Sequence, residues 1–304
     1  MGGAGQIKMG EKKRQEKDST AVAAGELLAP YQKRFDAAVK RELERAREEP
    51  DVREVCSYAV LNGGKRLRPA IVWMVADALG ADPSVELAAV AVEFFHVSSL
   101  VIDDLPCMDD DDMRRGVPSA HKAFSEPAAI LASFALTAWG FGAITRVVPP
   151  RGDAHRVLQE AVAAASRCVG LPGLIGGQWL DLCQEELTQE RLVAIVDRKT
   201  GVLFELCFLF GWLFGGGGPG GISLMRQMAR HFGRAFQFVD DIDDLQQDLA
   251  AGNKVNHAIL FGEEQTRRLV EEHVDAFCRL AQQAGLEKTP LISLARALAN
   301  AVAR

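Results

Sequence analysis

The sequence predicts an all-α protein, and three observations carry that prediction. Between Ala21 and Arg304 apolar residues recur at i, i+3, i+4 and i+7 over long stretches. Alternating apolar and polar runs rich in β-branched residues, the mark of half-buried strands, are almost absent. Glycine and proline cluster at the intervals where helices of ordinary length end.

Taken in order, the first helix is expected over 22–47, before Pro50, and the second over 51–62, stopped by Gly63-Gly64. A helix over 68–80 ends at Gly80 with Pro83 beyond it, and one over 84–105 ends at Pro106. A long helix over 119–148 is closed by Pro149-Pro150. Two more fill 153–183 and 188–214, and the second runs into GGGGPGG at 215–221, read as a mobile connection. Helices over 222–249, 263–284 and 290–303 complete the set. Segments 188–214 and 222–239 are apolar nearly all round, so they belong inside a large bundle or against another subunit. No repeat of 20–50 residues is present, which disfavours a solenoid.

At 304 residues and 48% hydrophobic content the chain can bury a sizeable core. A polar arm over 1–20 precedes one domain over 21–304, since no breaker is long enough to be a linker between domains. The net charge of −6 disfavours a nucleic-acid partner, so an anionic substrate would need local cations or metal ions. The six cysteines form no CxxC pair and no zinc spacing, which fits reduced thiols in an intracellular protein. No apolar run reaches the roughly 20 residues of a membrane span, so a cytoplasmic protein is expected. A plastid location stays open if the arm is the remnant of a processed leader.

Chemistry concentrates in two acidic segments. VIDDLPCMDDDDMRRG at 101–116 packs six aspartates into ten positions, and VDDIDD at 239–244 adds four more. Both fall near expected helix C-termini, where the backbone dipole disfavours negative charge, and Asp240 with Asp244 is a repulsive i, i+4 pair. Each is embedded in apolar helix, which places the carboxylates at the mouth of the core. Hard divalent ions with oxygen ligands are the natural neutraliser, and Mg²⁺ binds through a few carboxylates plus substrate phosphates. Two such sets facing each other across a bundle would clamp one polyphosphate. Pro106 breaks the helix, so Asp109 can fold back towards Asp103. Arg114 and Arg115 supply forked donors for phosphate oxygens. A separate basic segment, NGGKRLRP at 62–69, puts Lys65 and Arg68 at i, i+3 and is not a Walker loop.

These segments are similar to landmarks of the trans-isoprenyl diphosphate synthases, in particular the bacterial and plastid farnesyl and geranylgeranyl type. In family order they are GGKRLRP (63–69), HVSSLVIDDLPCMDDDDMRRG (96–116), PSAHKAF (118–124), GLIGGQWLDL (173–182), KTGVLF (199–204) and AFQFVDDIDD (235–244). The resemblance implies a single-domain helical bundle around a deep central cavity, a homodimer and three Mg²⁺ ions per site. It implies metal ligation by Asp103, Asp104, Asp109, Asp240 and Asp244, with Asp241 in support. Arg114, Lys199, Thr200, Gln237 and Lys254 would contact the allylic diphosphate (dimethylallyl, geranyl or farnesyl). Lys65, Arg68, His96 and Arg115 would hold isopentenyl diphosphate without metal.

Product length in such a fold depends on the cavity above the first cluster. Ser99 and Ser98 lie four and five residues before Asp103, about 6–7.5 Å up a helix. Small residues there leave room for a C20 product, geranylgeranyl diphosphate, with farnesyl diphosphate as the alternative. Phe94 and Phe95 are candidates for the floor. The chain departs from the family pattern at Phe134 in LASFAL, where an Asp is common, and at Ser125-Glu126. It also departs in the short QQDLAAGNKVNHAILFG, which leaves Lys254 as the one lysine of that loop. These departures keep open a non-catalytic paralogue that modulates a partner synthase. A class I terpene cyclase is disfavoured by the GGKR patch and by the form of the second aspartate motif.

Overall fold

The protein is described from a computed structural model over residues 25–45, 50–80, 85–150, 153–183, 188–252 and 255–303. The arm at 1–20 and Lys254 lie outside the described residues. Helix α1 spans 25–45, followed by α2 (Pro50–Leu61), α3 (Leu67–Ala78) and α4 (Glu86–Asp103). A two-residue antiparallel hairpin pairs β1 (Met113–Arg114) with β2 (Val117–Pro118) and leads into α5 (Ala120–Ala123) and α6 (Glu126–Ile144). Helices α7 (Ala154–Val169), α8 (Leu174–Leu182) and α9 (Gln189–Ile195) follow, and a π-turn over Val196–Gly201 joins α9 to α10 (Val202–Phe214). The chain ends with α11 (Ile222–Asp243), α12 (Leu245–Ala251), α13 (His257–Phe261), α14 (Glu263–Gln283) and α15 (Pro290–Val302).

The core is organised around α10, which packs on α3, α4, α7 and α11. Phe204, Phe208, Phe210 and Phe214 on α10 are fully buried. Each such ring stabilises by about 1.5–3 kcal/mol relative to exposure. Phe204 and Phe208 stack edge-on against Phe232 of α11, which fixes the rotation of the helix that ends in the second aspartate group. Helix α4 lies along α6 and ends in the first group. Two helices central to the core therefore deliver the two acidic segments.

The 222–249 segment divides at Asp244 into α11 and α12, and three further features differ from the sequence expectation for local reasons. The 119–148 segment divides at Phe124-Ser125, where the Ser125 hydroxyl caps α6 by accepting from the Ala128 amide at 3.3 Å. The 153–183 segment divides at Gly170–Gly173, around Pro172. The 215–221 run is an ordered cradle: Trp212 Nε1 donates to the Gly218 carbonyl at 2.8 Å. A Cβ on Gly217 or Gly221 would lie 2.2–2.3 Å from that indole, so these glycines admit the ring. By length and composition α6 comes within reach of a bilayer span. Here it packs along α4 and α2, and buried Glu42 of α1 accepts from Trp139 on its inner side at 2.7 Å. All six cysteines are free thiols.

Candidate active site

Past α4 the chain turns sharply at Leu105-Pro106. Met108 N donates to Leu105 O at 2.8 Å and Asp109 N to Asp103 O at 2.9 Å, so Asp109 returns to the end of α4 as its spacing suggested. Asp104 is buried and accepts from Arg114, with Nε at 2.8 Å and Nη2 as a second donor. Arg114 also reaches Asp111 at 2.9 Å. Burial pushes the Asp103 carboxyl up to about 6, with Asp109 and Asp104 adding repulsion and Lys199 opposing it. Asp109 is raised for the same leading reason, and Lys199 again acts against it.

Lys199 sits in the π-turn and donates to Asp181 of α8 at 2.6 Å. The extra residue of a π-turn re-aims the side chains it carries. It leaves Lys199 facing α4 while the next residue, Thr200, donates to Gln237 Oε1 on α11 at 2.9 Å. Gln237 Nε2 in turn donates to Asp241 at 3.0 Å. Asp241 is buried and directed towards α13, accepting from the His257 amide at 2.9 Å, so its place is to hold the end of α11. Asp240 is different: burial, Asp244 and Asp241 push its carboxyl up to about 7, while Lys65 and Arg68 oppose the rise.

The basic segment closes the ring from the other side. Arg68 donates to His96 Nε2 at 3.3 Å and lies over the Phe204 ring at 4.8 Å. Since a guanidinium only donates, that imidazole nitrogen accepts. Burial first, then Arg68, Arg115, Arg66 and Arg114, hold His96 neutral well below the usual histidine range. Arg115 donates to the Gly63 carbonyl and to Asn62 at 3.4 Å. A Cβ on Gly64 would fall 2.5 Å from the Arg115 guanidinium, and φ there is +112°, so glycine is required twice over. Arg66, between Lys65 and Arg68, is instead a buried structural ion pair with Glu93 at 2.7 Å.

The two acidic segments thus lie on one locus. One route runs from Asp103 through Lys199, Thr200 and Gln237 to Asp241, and the other from Asp240 through Arg68 to His96 on α4. Arg114 is paired with Asp104 and Asp111, and Lys199 with Asp181. A narrow recess beside the first group alone is lined by Asn62, Val97, Asp104, Arg114 and Arg115. A roomier groove on α7, lined by Leu158 and Val162, includes none of these charged residues. The aspartates fit divalent cations: the Asp103, Asp109 and Asp240 carboxyls are raised chiefly by burial, with repulsion from neighbouring carboxylates adding to it, and dications relieve that repulsion. Asp110, Asp112 and His121 also bring donor atoms within 4.8 Å of one another, but Lys122 already neutralises Asp112 at 2.8 Å.

Ser98 and Ser99 diverge. Ser98 is turned into the α4–α6 seam, where it donates to Phe95 O at 2.8 Å and accepts from Thr137 at 3.1 Å. Phe95 is buried on the same seam against Phe141, and Phe94 against Trp139. Ser99 is part-buried and donates to His96 O at 2.9 Å. Sequence reasoning missed Asp181 and Glu93. Asp181 stands three residues after the glutamine of GGQWLDL, and a lone carboxylate in an apolar helix is the signal that could have found it.

Residues 49–258 match the family model described as polyprenyl synthetase. The chain belongs to that family. Among its relatives is a chloroplastic geranylgeranyl pyrophosphate synthase of Catharanthus roseus, 36% identical over 281 residues, covering 86% of this chain and 78% of the relative. A putative geranylgeranyl pyrophosphate synthase 8, chloroplastic, of Arabidopsis thaliana is 38% identical, covering 78% and 70%. Of the solved structures, a geranyltransferase from Legionella pneumophila superposes with a TM-score of 0.79 at 31% identity, covering 93% of this chain and 98% of that one. A farnesyl/geranylfarnesyl (FPP/GFPP) synthase from Zymomonas mobilis gives 0.76 at 29%, covering 92% and 98%. The fold of this polyprenyl synthetase family member is that of its all-α relatives.

Proposed function

We propose that this chain is a short-chain trans-prenyltransferase that joins isopentenyl diphosphate head-to-tail to an allylic diphosphate, with geranylgeranyl diphosphate as its product. The observation that carries this reading is the convergence of two aspartate groups, each anchored by one buried carboxylate (Asp104 and Asp241), and one basic patch on a single locus. Mg²⁺ held by Asp103, Asp109, Asp240 and Asp244, three ions in the family's manner, would supply Lewis-acid stabilisation of the departing diphosphate. Asp104 and Asp241 serve as supports, the first through Arg114 and the second through Gln237 and His257.

Lys199 binds the allylic diphosphate, and Thr200 with Gln237 fixes the π-turn that aims it. Arg114 reaches that diphosphate when it swings from Asp111, and Lys254 is assigned to the same group by its sequence position. Lys65, Arg68, His96 and Arg115 take the isopentenyl diphosphate, a metal-free cradle suited to a group that must not leave. The C1–O bond of the allylic partner breaks, the isopentenyl double bond attacks C1, and a proton is lost to the released diphosphate. No side chain is assigned as base. Apolar walls keep water from the allylic cation.

Small Ser99 leaves room for chain growth beside α4. Exposed Leu131 and Phe134 on α6, the latter 68% exposed, suit a second copy of the chain and support a homodimer. The chloroplastic names of relatives support a plastid location for a processed form, against a cytoplasmic one. The test is incubation of purified protein with Mg²⁺, isopentenyl diphosphate and dimethylallyl diphosphate, followed by mass analysis. C20 product supports the reading, and C15 alone favours the farnesyl alternative. No condensation alone, with altered products beside an active synthase, would replace it with the non-catalytic paralogue.

A further inference from the structure

We infer that His231 of α11 and His273 of α14 form a two-imidazole site for a divalent transition-metal ion of the Ni²⁺ and Cu²⁺ kind, apart from the aspartates and from the condensation itself. Their Nδ1 atoms face each other at 2.9 Å across the seam between the two helices. At a metal–nitrogen bond of about 2.0–2.1 Å, one ion touching both would see them about 90° apart. That is the angle between neighbouring ligands in the tetragonal geometry that Cu²⁺ and Ni²⁺ take with nitrogen donors. The spacing already suits chelation.

The seam holds that spacing. Phe232 follows His231, Phe277 lies one turn after His273, and the two rings, both buried, meet at 5.5 Å. The imidazoles themselves are half-buried, with Phe238 against His273 at 5.9 Å, which leaves solvent a way in to complete the coordination. The charges facing the pair are Asp197 from the π-turn, Arg230 and Arg234 from α11 and Arg279 from α14. Arg234 takes both Asp197 oxygens at 2.8 Å, so that carboxylate supplies field and not a ligand. Burial first, then the arginines, lowers His231, and burial with His231 and Arg234 pushes His273 down to about 4. Both rings are neutral at pH 7, the form that binds a cation. In the free pair one Nδ1 donates to the other; on binding, that proton moves to Nε2 of its own ring and none is released. Mg²⁺ takes oxygen ligands and does not compete.

The test titrates untagged protein with Ni²⁺ in excess Mg²⁺ by calorimetry, at pH 8 and pH 6, and follows thermal unfolding with and without Ni²⁺. Wild type is compared with His231→Gln, His273→Gln and, as a control, His155→Gln on α7. Wild type should bind one ion and unfold at a higher temperature when Ni²⁺ is present. Each site variant should lose affinity by at least the roughly 10–100-fold that even an outer-shell change costs a metal site, and should lose the thermal shift. His155→Gln should keep both. Binding should persist at pH 6, where ordinary histidines, with a pKa of about 6.5, are mostly protonated. Electron paramagnetic resonance of Cu²⁺-loaded wild type needs no variant and should show hyperfine splitting from two imidazole nitrogens. Absence of Ni²⁺ binding, unchanged binding in either site variant, or splitting from fewer than two nitrogens would overturn the inference and leave the pair a hydrogen bond only. None of these readouts uses turnover, so failure of the prenyltransferase reading leaves the test intact.

Discussion

Replacing Asp240 by asparagine should make the protein more stable while stopping its chemistry. The Asp240 carboxyl is raised from 3.8 to about 7, with burial the largest cause and Asp244 and Asp241 adding repulsion. A carboxyl whose folded pKa is raised favours the folded state fully below its unfolded value. That contribution is lost as pH rises through the folded value, here from about 4 to about 7. Above pH 7 the ionised group opposes folding by at most about 4 kcal/mol, the free-energy equivalent of that rise. Partial exposure reduces this to about 2–3 kcal/mol. Asparagine has nearly the same shape and no charge, so in metal-free buffer at pH 8 the variant should unfold at higher urea concentration by that margin. At pH 4 the difference should vanish. Condensation with Mg²⁺ should fall by orders of magnitude, because a ligand for the cation is gone. A variant less stable than wild type at pH 8, or one that keeps its turnover, would be inconsistent with a repelled, metal-binding carboxylate.

Three further outcomes follow from other parts of the molecule. Ser99→Phe should shorten the product, measured by mass, whereas Ser98→Phe should mainly destabilise the α4–α6 seam, by about 1–3 kcal/mol of overpacking. Gly64→Ala should raise KM for isopentenyl diphosphate more than for the allylic partner in steady-state kinetics, since its methyl would displace Arg115. His273, whose Nδ1 lies 2.9 Å from that of His231, is pushed down to about 4 by burial first and then by His231. Its stabilising neutral form is complete above pH 6.5 and is lost as pH falls through about 4. His273→Phe should therefore remove on the order of 2 kcal/mol of acid sensitivity in urea titrations over that window.

The sequence carries the helices and their order because the apolar period of α4, α10 and α11 is long and unbroken. It also carries the convergence of the two acidic segments, since repulsion repeated twice at helix ends demands a common cause. Asp109 returning to Asp103 follows from Pro106 alone. Other features depend on what lies across the fold. The direction of Asp241 is set by α13, a five-residue helix too short to give a periodic signal. Ser98 is set apart from Ser99 by Thr137, which donates to it across the α4–α6 seam. The glycine run near Trp212 reads as a flexible connection because no local rule links glycine to an indole several residues earlier. Arg66 and Arg68 are two residues apart in one basic motif, yet Glu93 claims the first and His96 the second.

If the two aspartate groups act together on one diphosphate through divalent ions, neither group alone should suffice to bind it. Isothermal titration of inorganic pyrophosphate, with and without Mg²⁺, into wild type, Asp103→Asn and Asp240→Asn examines this without any dependence on turnover. Wild type should bind tightly only when Mg²⁺ is present, and either variant should lose most of that affinity, with the double variant little worse than the singles. Binding that ignores Mg²⁺, or that survives removal of one group unchanged, would mean that the two groups do not share a diphosphate.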